Sequence, residues 1–237
     1  MSRDLRMGLR QYESPLIPMY HNNLPIHIYR ARENHEFTDF TFICGATRFQ
    51  VHKVIVCSQS KVFHAACTGP FKVSLLLMLM TVVNIPQESS TNEFDLSEFS
   101  VDHVKWLIDF LYMGTYQTPK DSNLDDHIYM FAIGDMYRIE PLAQHAAEKF
   151  HCGLTHILML EEVLPLIPLV YNSTPEHRQE LRQEVVMFLR SPGPGIKEEM
   201  ESRGWYDDMA EECPDFIKDL LFSYLEWSDR DWSFLSN

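Results

Sequence analysis

The chain has 237 residues, 45% of them hydrophobic and 23% charged, which is ordinary globular usage and enough length to bury a sizeable core in one or two domains. Its 34 acidic and 20 basic groups leave a formal net charge of −14, distributed as +1 over residues 1–37, −5 over 38–153 and −10 over 154–237. With no basic stripe to relieve it, such a surface repels phosphate backbones and excludes direct nucleic-acid binding.

Residues 1–36 read as an irregular leader, because Pro15, Pro18 and Pro25 interrupt any helical period and Asn22-Asn23 marks a turn. The opening MSRDLRMGLRQYESPLIPM lacks the apolar run of a secretory signal, which points to an intracellular location, cytoplasmic or nuclear. Strands are predicted near 39–45 and 46–52. Phe40, Phe42 and Cys44 alternate with Thr41 and Ile43, and Phe49 and Val51 alternate with Arg48, Gln50 and His52. Gly45 between them supplies the positive φ of a tight hairpin. Two short helices follow over 53–57 and 60–67, the second with Ser60 as N-cap. Glu93-Phe94-Asp95-Leu96 reads as a third strand near 93–97.

Ser100 caps a helix over 101–112, whose apolar residues at 104, 107, 108 and 111 fall at helical spacing, and Gly114 ends it. A polar loop over 116–122 leads to a helix over 124–137. Pro141 sits in the first turn of the next helix, 142–150, whose Ala143, Ala146 and Ala147 allow close packing. Beyond 154 the chain is helical and acidic. Pro165 and Pro168 must kink or stop the apolar run 157–170, and 176–189 is amphipathic through Leu181, Val185, Val186, Phe188 and Leu189. Ser191-Pro192-Gly193-Pro194-Gly195 is a break, and 214–227 is a last helix expected to pack Phe216, Leu220, Leu221 and Tyr224. Phe42, Phe49, Val51, Leu107, Leu111 and Phe131 are expected to be buried together. The five cysteines, at 44, 57, 67, 152 and 213, have no CxxC spacing and read as free thiols of a reducing compartment.

The order of motifs is more specific than any one of them. Asp39 precedes the first strand, Phe49-x-Val51-His52-Lys53 ends the second, and Cys57-Ser58-Gln59-Ser60 joins two helices. Phe63 and Gly69-Pro70-Phe71-Lys72 come next, then Phe110-Leu111-Tyr112-x-Gly114-x-Tyr116, and finally Phe131-Ala132-x-x-Asp135-x-Tyr137-x-Ile139-x-x-Leu142. Over residues 37–154 the chain resembles a BTB/POZ domain. With Val170-Tyr171-Asn172-Ser173-Thr174 leading into a helix, the remainder is similar to the segment C-terminal to that domain in fungal BTB proteins. The resemblance implies an α+β fold with a small three-stranded sheet covered by helical hairpins, and then an all-helical acidic extension over 155–237. It also implies a non-enzymatic protein–protein interaction adaptor, or a substrate receptor of a cullin-type ubiquitin ligase. In cullin-recruiting members a hydrophobic-x-Glu element comes after the second helix, and the matching residues here are Phe71, Lys72 and Glu88. His52 and Asp39 are structural positions in the family. Many members dimerise, but the proline-broken leader makes a homodimer of this chain expected to be weak.

Residues 73–87, VSLLLMLMTVVNIPQ, interrupt that pattern between Lys72 and Glu88, and Val73 stands where the glutamate belongs. The run is too short to span a bilayer, which needs about 20 apolar residues, and no membrane partner is expected. It reads as a buried helix or strand, as an exposed apolar loop, or, the preferred reading, as a retained intron translated in frame. Valine codons begin GT and one glutamine codon is CAG, matching the usual ends of an intron, and removal restores Phe71-Lys72-Glu88.

Catalytic patterns are absent from the sequence: it contains no GxSxG, GxxxxGK[ST] or GxGxxG. Cys57 and His52 lack a third, orienting group. His151-Cys152 with His156 is the nearest approach to zinc-ligand spacing and has no fourth ligand nearby. No catalytic residue, cofactor or metal is expected.

Overall fold

The computed structural model describes residues 23–68, 92–119, 123–157, 160–190 and 205–235. The first element, α1 (Leu24–Glu33), corrects the irregular leader expected over 1–36. Pro25 lies in the first turn, where its missing N–H would have had no helical partner, so the ring starts a helix instead of breaking one. Pro15 and Pro18 fall outside the described residues.

β1 (Phe40–Cys44) and β2 (Thr47–Val51) form an antiparallel hairpin with Phe42 opposite Phe49, turned by Gly45 at φ +57°. β3 (Glu93–Asp95) lies parallel along the other edge of β1, with Phe94 opposite Phe42, so the sheet order is β2-β1-β3. A parallel neighbour requires a crossover, and α2 (Lys53–Gln59) and α3 (Lys61–Thr68) begin it. Ser60, between them, caps α3 by accepting from the Phe63 N–H at 3.1 Å. α4 (Val101–Met113) begins at Ser100, which accepts from the His103 N–H, and ends at Gly114. α5 (Asp125–Met136) and α6 (Glu140–Leu154) pack as a hairpin. A Cβ at Gly134 would come within 2.6 Å of the Ala143 nitrogen, so the two helices cross nearly backbone to backbone.

Alternation on β1 buries Phe40, Phe42 and Cys44. Phe42 lies 5.0 Å from Phe63, which stacks on Tyr137 at 4.7 Å, and Phe94 meets both Phe63 and Tyr137 edge-on. Leu107 and Leu111 of α4 and Phe131 of α5 complete the centre as expected. Phe49 departs from expectation: β2 is an edge strand, and its ring is only part-buried against the core.

The C-terminal part continues the same core. The apolar run breaks into α7 (Leu160–Val163) and α8 (Leu166–Ser173), with Pro165 as the N-cap of α8 and Pro168 in its first turn. α9 (Glu180–Arg190), α10 (Trp205–Glu212) and α11 (Pro214–Leu235) complete the chain. α8 packs on α5, α9 packs on α6, and α11 closes over α8 and α9. α10 forms where the sequence predicts no element, and α11 runs past its expected end. Phe216 and Leu220 are buried, whereas Leu221 and Tyr224 are exposed, because one helix face points inward and those two side chains lie off it.

Phe42 is fully buried, so Phe42→Ala should cost about 3–5 kcal/mol in chemical denaturation. Phe49→Ala should cost less than about 2 kcal/mol, since part of its ring already meets water. Equal losses would show that the edge strand is as well covered as the centre.

Candidate protein-interaction site

The joint between sheet and α2 is built by His52 and Asp39. Asp39 accepts from the Lys53 N–H at 2.7 Å, satisfying a donor of the first turn of α2, while its own N–H donates to the Val51 carbonyl. The His52 ring bridges two elements: Nε2 lies 2.9 Å from the Glu36 carbonyl and Nδ1 lies 2.8 Å from the Tyr112 hydroxyl of α4. A carbonyl only accepts, so Nε2 carries the proton, Nδ1 accepts from the Tyr112 O–H, and the Tyr112 oxygen accepts the His52 backbone N–H at 2.9 Å. Both ring nitrogens and the backbone N–H of His52 are thereby partnered. Burial raises the Tyr112 hydroxyl above its ordinary pKa, keeping the donor in place.

Exposed apolar side chains occur on the elements that meet at this corner. Glu36 sits between His35 and Phe37, both in the left-handed region at φ +59° and +58°. That conformation is strained for a bulky residue and persists only where neighbours enforce it. The His52 bond to Glu36 supplies such enforcement, and Phe37 is left 89% exposed. Val54, one residue into α2, is 74% exposed, and Leu24 and Ile26 of α1 are also exposed. α1 itself is held to α4: the Tyr29 hydroxyl donates to Asp109 at 2.7 Å, and Arg32 lies over the rings of Tyr29 and Tyr112.

The candidate partner-binding residues Phe71, Lys72 and Glu88, and the segment 73–87, lie outside the described residues. α3 ends at Thr68, a few residues ahead of Phe71.

A second junction joins the extension to the α5–α6 hairpin. The Arg178 guanidinium forks onto both oxygens of Glu140, at 2.8 and 3.3 Å, and lies 3.1 Å from Glu180 and 3.6 Å from Asp135. It also lies over the Phe131 ring. The Arg178 bond holds the Glu140 carboxyl below its usual range. Arg182, buried one helical turn further on, donates to the Tyr171 and Thr174 carbonyls at the end of α8, where the helix dipole favours a cation. Neither arginine stands out in the sequence, since an isolated arginine after a loop carries no local signal. Tyr112 is visible there only as part of a motif.

The histidines find separate partners. A shallow cleft of about 460 Å³ is lined by His127, His145, Lys149, Cys152 and His156. Within it His127 Nδ1 meets the Tyr116 hydroxyl at 2.9 Å, and His145 Nε2 meets Thr115 at 3.2 Å. His151 pairs with Glu184 at 2.6 Å, and His156 Nδ1 lies against the Cys152 carbonyl. Among the described residues, no group of three or more His, Cys, Asp or Glu side chains is placed to hold a metal ion. Cys57 lies against the Phe63 carbonyl, while both nitrogens of His52 are committed to Glu36 and Tyr112. The geometry offers surfaces and joints, with no nucleophile–base pair between these two residues.

Burial, reinforced by Lys149 and opposed by Asp126, lowers His127 from 6.5 to about 4. A depressed histidine pKa means that the unfolded chain binds the proton first. Its contribution to stability is whole above pH 6.5 and is lost as pH falls toward 4, by on the order of 3 kcal/mol. Denaturation of His127→Asn across that window should show a flatter pH dependence than the parent. Parallel curves would mean that the residue does not titrate as a buried neutral group.

No helix of the described residues is long and apolar enough to cross a membrane. No curated protein matches the chain. Among solved structures, the BTB (Tramtrack and Bric a brac) domain of human gigaxonin aligns with 62% of this chain and 98% of that one, at 16% identity and a TM-score of 0.38. Residues 28–152, more than half of the chain and spanning the hairpin, the His52 corner and the α5–α6 joint, match the family model of the BTB/POZ domain. The chain belongs to the BTB/POZ family.

Proposed function

We propose that this protein is a non-enzymatic adaptor that brings a partner held on its BTB/POZ face to one held by its helical extension. BTB/POZ domains are typically interaction modules without enzymatic activity, and a protein–protein interaction role follows from membership. The observation that carries the two-ended reading is the Arg178 fork onto Glu140, which ties the extension to the domain. The division into a leader over 1–36, a domain over 37–154 with its apolar insert, and an extension over 155–237 belongs to this proposal.

A second reading makes the partner a cullin scaffold and the protein a substrate receptor of a ubiquitin ligase. Its support is the position of Phe71-Lys72 just after α3 and of Glu88 beyond the insert. Phe71 would enter an apolar pocket of the scaffold, and Glu88 would make polar contacts at the pocket rim. Deleting 73–87 should join Phe71-Lys72-Glu88 and increase capture of a purified cullin N-terminal domain, and Phe71→Ala in that background should abolish the gain. The deletion should leave the thermal midpoint nearly unchanged, because loop closure costs grow only logarithmically with length, and should lower light scattering by removing apolar surface. Equal capture with and without the insert would sink the cullin reading. A loss of several kcal/mol would make the insert part of the core and end the retained-intron reading.

Self-association belongs to the same proposal and is weak. α1 spends Ile28 and Tyr29 on its own chain, leaving Leu24 and Ile26 as its exposed large apolar side chains. Sedimentation should find mostly monomer at low micromolar concentration, and a tight dimer there would overturn this reading.

A further inference from the structure

We propose that Cys57 and Cys67 form a site of oxidative modification, closing an intramolecular disulfide across the α2–α3 hairpin when the protein meets a low-molecular-weight disulfide such as glutathione disulfide. The inference rests on the hairpin and is independent of which partner the adaptor binds. α2 and α3 are separated by Ser60 alone, which is fixed at both ends: it accepts from the Phe63 N–H, and its hydroxyl donates to the Tyr137 carbonyl at 2.6 Å. Cys57 reaches across the hairpin, its Sγ lying 3.6 Å from the Phe63 carbonyl. Cys67 stands one helical turn beyond Phe63, and a helical side chain leans back over the turn before it, toward the part of α3 that Cys57 meets. Cys57 is the neighbouring side chain that acts most strongly on the Cys67 thiol. Neighbouring thiols on the two arms of so short a hairpin need only small movements to close to a disulfide, which is the condition that most cysteine pairs fail.

Exposure separates this pair from the other buried thiols. Cys44 and Cys213 are buried, and Cys44 is committed to the Phe99 carbonyl at 3.2 Å, whereas Cys57 and Cys67 are both part-exposed. Burial and the neighbouring Cys57 push the Cys67 thiol up to about 12, so Cys67 keeps its proton at neutral pH and the attack falls to Cys57. The Cys57 thiolate attacks one sulfur of glutathione disulfide, forming a Cys57–glutathione mixed disulfide and releasing glutathione thiolate, which takes up a proton. Cys67 then loses its proton to solvent and attacks the Cys57 sulfur, forming the Cys57–Cys67 bond and expelling the second glutathione. Two protein thiols are oxidised to one disulfide as one glutathione disulfide is reduced to two glutathiones. The bond pins the last turn of α3, the turn that leads toward Phe71.

The sequence makes the test direct, because Lys53, Lys61 and Lys72 divide the hairpin into peptides 54–61, with Cys57, and 62–72, with Cys67. The full chain is incubated with glutathione disulfide, its remaining thiols are alkylated, and the tryptic digest is weighed. The expected result is a joined pair of these peptides lighter by two hydrogens, with both alkylated single peptides lost. In Cys67→Ser, peptide 54–61 should instead carry one glutathione. Release of the second glutathione from the parent should quicken about tenfold per pH unit through the neutral range, as the Cys67 thiolate fraction rises. Recovery of two separate peptides from the parent, each alkylated or each bearing its own glutathione, would overturn the proposal. A pH-independent second release would overturn the assignment of Cys67 as the resolving thiol.

Discussion

The stacking of Phe63 on Tyr137, with Ser60 donating to the Tyr137 carbonyl, is the contact on which the fold turns. It is where the first helical hairpin, the sheet and the α5–α6 joint meet, since Phe42 and Phe94 press on the same pair of rings from β1 and β3. Tyr137 ends α5, so its carbonyl would otherwise be an orphan of the helix terminus. The Ser60 hydroxyl satisfies it from a hairpin 77 residues earlier in the chain. Tyr137 also donates to Glu98, and burial with that carboxylate nearby raises its pKa well above the usual phenol range. A neutral, donating tyrosine is thus secured at the centre.

From that centre the joint beside the candidate interaction face is held by polar bonds. His52 uses both ring nitrogens and its backbone N–H to hold α4, the α1–β1 turn and the start of α2 in one arrangement. The consequence reaches a residue it does not contact through its ring: Phe37 stays in a left-handed conformation with its side chain in water. With both ring nitrogens and its backbone N–H partnered, the buried His52 holds this arrangement without leaving one of those groups orphaned.

Much of this is legible in the residues themselves. The alternation of Phe40, Phe42 and Cys44 around a turn glycine, and the Ser100 and Gly114 ends of α4, are local signals that local physics honours. Other features are not legible, each for its own reason. Pro25 reads as a breaker because its effect depends on position within a helix, which the identity of the residue does not carry. Phe49 shares the period of Val51, but period reports a face and not whether a strand lies at the edge of its sheet. Leu221 and Tyr224 come after Phe216 at near-helical spacing yet fall outside the arc that α8 and α9 cover. Arg178 cannot be singled out, since Glu140, 38 residues earlier, becomes its neighbour only after the extension folds back.

The Arg178 fork also has a mechanical side. It grips Glu140 at the head of α6 and lies beside Asp135 near the end of α5, so it spans the corner where Gly134 and Ala143 bring those two backbones together. A load applied to α11 passes through α8 and α9 into that crossing, which has no side-chain cushion to deform. A corner packed backbone to backbone and clamped by an ion-pair fork leaves little room for bending. Under the two-ended adaptor proposed above, two partners held on its arms would keep their mutual angle, and any reach needed to bring them together would come from the partners themselves.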